Sequence, residues 1–136
     1  AARRALEELR RAGAGRSVWL DEPQGRAGDP AARAALREAL ARHLRRQGFA
    51  VVDAREPAGY RLKPSVLEFE VTTAEGRTLI AVKASVVAVD SQGKMAAMVE
   101  GGARLRATGG SVGPLTARAL DAAAVNLSED LAARLR

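Results

Sequence analysis

The chain has 136 residues, a formal net charge of +6, 47% hydrophobic residues and no cysteine. That is the size of one ordinary domain, able to bury roughly two-thirds of the surface its unfolded chain exposes. It excludes disulfides, thiolate catalysis and sulfur-ligated zinc.

The positive balance invites a phosphate-binding reading. Yet only Lys63, Lys83 and Lys94 are lysines, and every other basic residue is arginine. With so much Ala and Gly, the arginine excess also reads as the codon bias of a GC-rich genome. No apolar run approaches the ~20 residues that span a bilayer, so a soluble piece is expected. The sequence opens at Ala1 and is expected to be a segment of a longer chain.

Residues 1–12, "AARRALEELRRA", have Leu6 and Leu9 on one side and predict a short helix stopped by Gly13 and Gly15. It resembles the closing helix of a HEAT-type repeat, so residues 1–15 are expected to be a leading helix or the tail of a preceding region. Residues 16–136 are expected to form a single α+β domain. "SVWLDE" (17–22) predicts a short strand with Trp19 as its one large anchor. After "PQGRAG", Asp29 and Pro30 supply an N-cap and a first-position proline for a helix reaching about Gln47. Leu36, Leu40 and Leu44 mark its buried face, beside Ala32 and Ala39. Gly48 suits the C′ position and Phe49 folds back as its apolar partner.

"AVVDA" (50–54) predicts the next strand, and three long extended segments follow. In "YRLKPSVLEFEVTT" the apolar parity flips near Pro64, which predicts an edge strand or a bulge there. Ala74-Glu75-Gly76 predicts a turn. In 77–89 the even positions Ile80, Val82, Ala84 and Val86 point to an inward face. Beyond "DSQGK" the odd positions Met95, Ala97, Val99, Ala103 and Leu105 alternate with Met98, Glu100, Arg104 and Arg106. "DSQGK" itself reads as a hairpin connection, with Asp90 accepting from the turn's backbone and Gly93 taking a positive φ. The last helix carries Leu120, Ala124, Leu127 and Leu131 as its buried stripe. The expected order is (α)-β-α-β-β-β-β-α: an antiparallel meander with two amphipathic helices packed on one face.

Four features are candidates for chemistry. Gly109-Gly110-Ser111-Val112-Gly113 matches G-x-S-x-G, but a hydrolase needs an acid and then a histidine after the serine. The sole histidine, His43, precedes it, so the segment reads as a linker before the Pro114 helix start. His43 lies at the edge of an apolar helix face and is expected to pack against the sheet. Glu68 and Glu70 stand roughly 7 Å apart on one strand face, a spacing that suits acid–base work or Ca²⁺. Their alternation with Leu67, Phe69 and Val71 instead predicts a solvent-facing stripe. Arg33, Arg37, Arg42, Arg45 and Arg46 spread around one helix, while the chain offers only Trp19, Phe49, Tyr60 and Phe69 as stacking platforms.

The order of motifs resembles the small α+β domain of bacterial envelope lipoproteins and accessory proteins. These include the penicillin-binding-protein activator lipoproteins, the TolB amino-terminal domain and the curli-channel lipoprotein group. The matching residues are Gly48, Phe49, Val51 and Val52, then Tyr60, Leu62 and Val66, then Asp90 and Gly93. There is no lipobox cysteine in the chain. The resemblance implies a non-enzymatic interaction or assembly module of the cell envelope, periplasmic or outer-membrane-associated, with a cytoplasmic location as the other possibility. Its partner is expected to be another envelope protein or a second copy. No catalytic residue, metal, cofactor or small-molecule substrate is expected, and membrane contact would come only through a segment outside this chain. The alternative is an Arg-rich nucleic-acid-binding domain, a partner the shortage of aromatics disfavours. A serine-directed fluorophosphonate should leave Ser111 unlabelled under conditions that label a serine hydrolase; stoichiometric labelling would restore the hydrolase reading.

Overall fold

A computed structural model of the chain describes residues 17–25, 30–52, 58–108 and 112–135. The expected leading helix at 1–12, the N-cap Asp29 and the linker residues 109–111 lie outside those residues. The elements are β1 (Ser17–Leu20), α1 (Pro30–Arg46), β2 (Ala50–Val52), β3 (Tyr60–Ala74), β4 (Arg77–Asp90), β5 (Met95–Thr108) and α2 (Val112–Leu135).

The expected helix stop is present in full. The amide of Phe49 donates to the Leu44 carbonyl and that of Gly48 to the Arg45 carbonyl, with Gly48 at φ +96°. This pair of bonds satisfies two orphan carbonyls of the last turn. Phe49 is buried, as the apolar partner in such a stop should be.

The five strands form one mixed sheet in the order β2-β1-β3-β4-β5. β3, β4 and β5 are the expected antiparallel meander. β1 enters in parallel between β2 and β3, so β1–α1–β2 is a helical crossover between neighbouring parallel strands. The core is a single cluster built from Leu36, Leu40 and Leu44 of α1, Leu120, Leu127 and Leu131 of α2, and inner-face residues such as Val18, Leu62, Ile80 and Val86. Both helices therefore cover the same sheet face, as expected. Burying each of these leucines contributes about 1.5–3 kcal/mol.

Of the two readings offered for the Pro64 region the bulge is present and the edge strand is not, and the facing of Met95 needs correction. β3 is not an edge strand, because β1 and then Gln24 run along its free side. The Gln24 amide donates to the Pro64 carbonyl, and the Val66 amide donates back to Gln24. The missing N–H of Pro64 thus falls where β1 has already ended and only this short return passes. The bulge sits three residues later: Val66 faces Ala84 and Glu68 faces Lys83, leaving Leu67 as the extra residue. A second bulge lies in β5, where Ala88 faces Ala97 but Val89 faces Met95. It reverses the facing of Met95, which is 67% exposed instead of supplying core.

Both hairpin turns are as read. Glu75 and Gly76 are at φ +52° and +75°, a two-residue turn of type I′ character. In the β4–β5 turn, one carboxylate oxygen of Asp90 accepts from the amides of Gln92 and Lys94, and Gly93 is at φ +81°.

The return past Pro64 depends on a glycine. Gly25 has φ +124°, and a Cβ there would stand 2.3 Å from the Val66 carbonyl oxygen. Gly25→Ala is predicted to cost about 3 kcal/mol, whereas Gly93→Ala, strained but in open space, costs about 1 kcal/mol. Urea denaturation measures both; equal losses would refute the close backbone approach.

Candidate functional site

With both helices on one side, no described residue covers the other face of the sheet. Its side chains follow from the register, since directly paired residues share a face. Val52, Trp19, Arg61, Val89 and Met95 form one unbroken row across all five strands. Lys63, Val87 and Met98 form the next. Trp19, Val52, Val87 and Val89 are half-buried, and Met98 is 49% exposed. The end of this face near the Asp90–Lys94 turn is thus apolar and edged with cations.

One cation there is held in place. The guanidinium of Arg61 stacks 4.1 Å from the centre of the Trp19 ring, and its Nε donates to Asp21 at 2.8 Å. Stacking of this kind contributes about 0.5–1 kcal/mol, and the carboxylate fixes where the guanidinium lies.

The opposite end of the face is charged. Glu68 lies beside Lys83 and Gly102, and Glu70 beside Ala81 and Arg104. Glu68 and Glu70 occupy the uncovered face, as expected of a solvent stripe. Gly102 stands across from Lys83, and a shallow depression of about 470 Å³ there is bordered by Glu68, Glu100 and Arg104. Gly101 lets α2 sit close, since a Cβ there would already meet Leu127 at 3.4 Å. Val71 and Leu67, the extra residue of the β3 bulge, are 40% and 47% exposed.

The helix layer holds the one histidine. His43 is buried, and its Nε2 lies 2.9 Å from an Asp121 carboxylate oxygen of α2. The C-terminal turns of α1 pack on α2, and that places His43 in the helix–helix seam. Arg42 donates to the same oxygen at 2.5 Å. These two partners, His43 foremost, hold the Asp121 carboxyl below its ordinary value. Sequence reasoning did not find Asp121, since it lies 78 residues from His43 and shares no motif with it.

The other arginines of α1 are partly spent on the fold. Arg37 donates to the Leu20 carbonyl and Arg33 to that of Gly25, tying the helix to the strand and loop before it. Two of the five arginines on which the nucleic-acid alternative rested are thus tied to backbone carbonyls of the fold. Among the described residues, no cluster of three or more His, Cys, Asp or Glu is gathered as a metal site requires. No described helix is long and apolar enough to cross a membrane.

The chain matches no protein-family model and no curated protein sequence. Its fold recurs in solved structures. The PelC dodecamer from Paraburkholderia phytofirmans superposes with a TM-score of 0.66 at 18% identity, over 84% of this chain and 86% of that one. The minor lipoprotein of Acinetobacter baumannii gives 0.58 at 17% identity, over 87% and 91%. Lipoprotein GNA1162 of Neisseria meningitidis gives 0.55 at 18%, over 84% and 98%. The chain shares the fold of bacterial lipoproteins. At this identity the likeness is one of fold.

The depressed acidity of Asp121 sets a pH dependence. Its contribution to stability is fully present above the ordinary carboxylate value of 3.8 and is lost as pH falls through the lower folded value. Arg42 and Asp121 are each about half exposed, so solvent screening limits this to about 1 kcal/mol or less. Chemical denaturation between pH 5 and pH 2 should show an acid-side loss that Asp121→Asn flattens; an unchanged acid limb in the variant would refute the assignment.

Proposed function

We propose that this domain is a non-enzymatic interaction module of the bacterial cell envelope, docking through its uncovered sheet face. The observation that carries the reading is the apolar row Val52–Trp19–Arg61–Val89–Met95 with Met98 beside it. A sheet face that met only water would alternate to polar residues at these positions. Instead two methionines, whose flexible side chains adapt to a partner's shape, stand largely exposed. Contiguous apolar surface with a charged border is the signature of an association site.

The partner is another envelope protein or a second copy of the chain. The fold likeness to lipoproteins supports an envelope setting, periplasmic or outer-membrane-associated. That a structure of the same fold, PelC, is a dodecamer supports self-association as the simplest case. The locked Arg61 gives the patch a fixed cation, which orients an incoming carboxylate or carbonyl without further ordering cost. The strand edge at Pro64 is closed by Gln24, so contact falls on the apolar end of the sheet face.

Met95→Glu with Met98→Glu should abolish the association while leaving the thermal midpoint within a few degrees, since both side chains are exposed. Light scattering coupled to gel filtration reads self-association, and cross-linking in envelope extracts reads a different partner. Unaltered assembly and unaltered cross-links in the double variant would sink the proposal.

A further inference from the structure

The helix layer carries a second feature, on the side of the molecule opposite the sheet face and independent of it. α1 and α2 leave an open groove of about 760 Å³ between their solvent sides, lined by Arg42, Arg46, Arg118, Asp121, Ala122 and Val125 among others. We infer that this groove is a binding site for a phosphate-type dianion, held by Arg46 and Arg118 with Arg42 as a third donor.

Arg42 and Arg46 stand four residues apart on α1, so their side chains rise from one face about 5–6 Å apart at the Cβ. Arg118 comes from the facing helix, one turn before Asp121. Among the described residues neither Arg46 nor Arg118 has an ion-pair partner. Three guanidinium groups therefore face one carboxylate, and the groove is left with two uncompensated positive charges. A dianion matches that balance, and a planar guanidinium fork binds phosphate oxygens two at a time.

The Asp121 cluster explains why the site is more than surface charge. Asp121 holds Arg42 on the groove wall, and the bond from buried His43 keeps the carboxylate in place when Arg42 turns toward a ligand. Arg42 is thus positioned without being consumed. The small side chains of Ala117 and Ala122 leave the groove open between the arginines. The phosphate group could belong to a soluble ligand or to a lipid headgroup, and the chemistry of recognition is the same.

Isothermal titration of the full chain with inorganic phosphate and pyrophosphate at low salt tests the site. A parallel arm measures flotation with phosphatidylcholine vesicles doped with phosphatidic acid. Arg46→Gln and Arg118→Gln should each weaken binding about tenfold, the loss of one charge-assisted contact. Arg45→Gln, exposed on the same helix but outside the groove, should change it less than twofold. Binding of the free anions with this pattern supports a soluble ligand; vesicle binding with the same pattern supports a headgroup. No binding in either arm overturns the inference. So does a loss in Arg45→Gln as large as in Arg46→Gln, because the affinity would then follow net charge and not the groove.

Discussion

The leucines of α2 pressed against the even-numbered face of β4 hold the rest of the molecule in place. Leu120, Leu127 and Leu131 are essentially inaccessible, as are Ile80 and Val86 beneath them. At Gly101 a Cβ would already reach van der Waals contact with Leu127. Because α1 joins the same layer through the His43–Asp121 seam, the chain's apolar helix surface is used up on one side. The opposite sheet face must then either be polar or wait for a partner.

That face does both, in different halves. Near the Asp90–Lys94 turn the cross-strand rows are apolar, with a tryptophan clamped by Arg61 at their centre. Toward the Glu75–Gly76 turn they carry glutamates, Lys83 and arginines. The split follows from two bulges. Leu67 and the extra residue before Ala97 each change which side chains face outward, and the second puts Met95 into the exposed row. A residue that strict alternation would bury thereby becomes available for contact.

The arginines divide in a similar way. Arg33, Arg37 and Arg61 bond to carbonyls or a carboxylate of the fold itself. Arg42 is shared between the helix seam and the groove, and Arg46 and Arg118 are left at its rim. Net charge alone does not distinguish these roles, which is why the balance of +6 says so little about a partner. What matters is which guanidinium groups are already committed to backbone oxygens.

Residue patterning by itself determined the element order, the buried stripes of both helices, the inward face of β4 and both hairpin turns. Each of these rests on local periodicity or on backbone conformations that few residues adopt, such as Gly48 and Gly93 at positive φ. Only the tertiary structure decided that β1 slots in parallel between β2 and β3, that Gln24 closes the Pro64 edge, and that His43 meets Asp121. Those contacts join residues from 33 to 78 positions apart. No short-range pattern encodes such partners, because they are set by how whole elements pack. The candidate surfaces are of this second kind: the apolar row and the three-arginine groove each gather side chains from separate elements, and neither exists until the core brings them together.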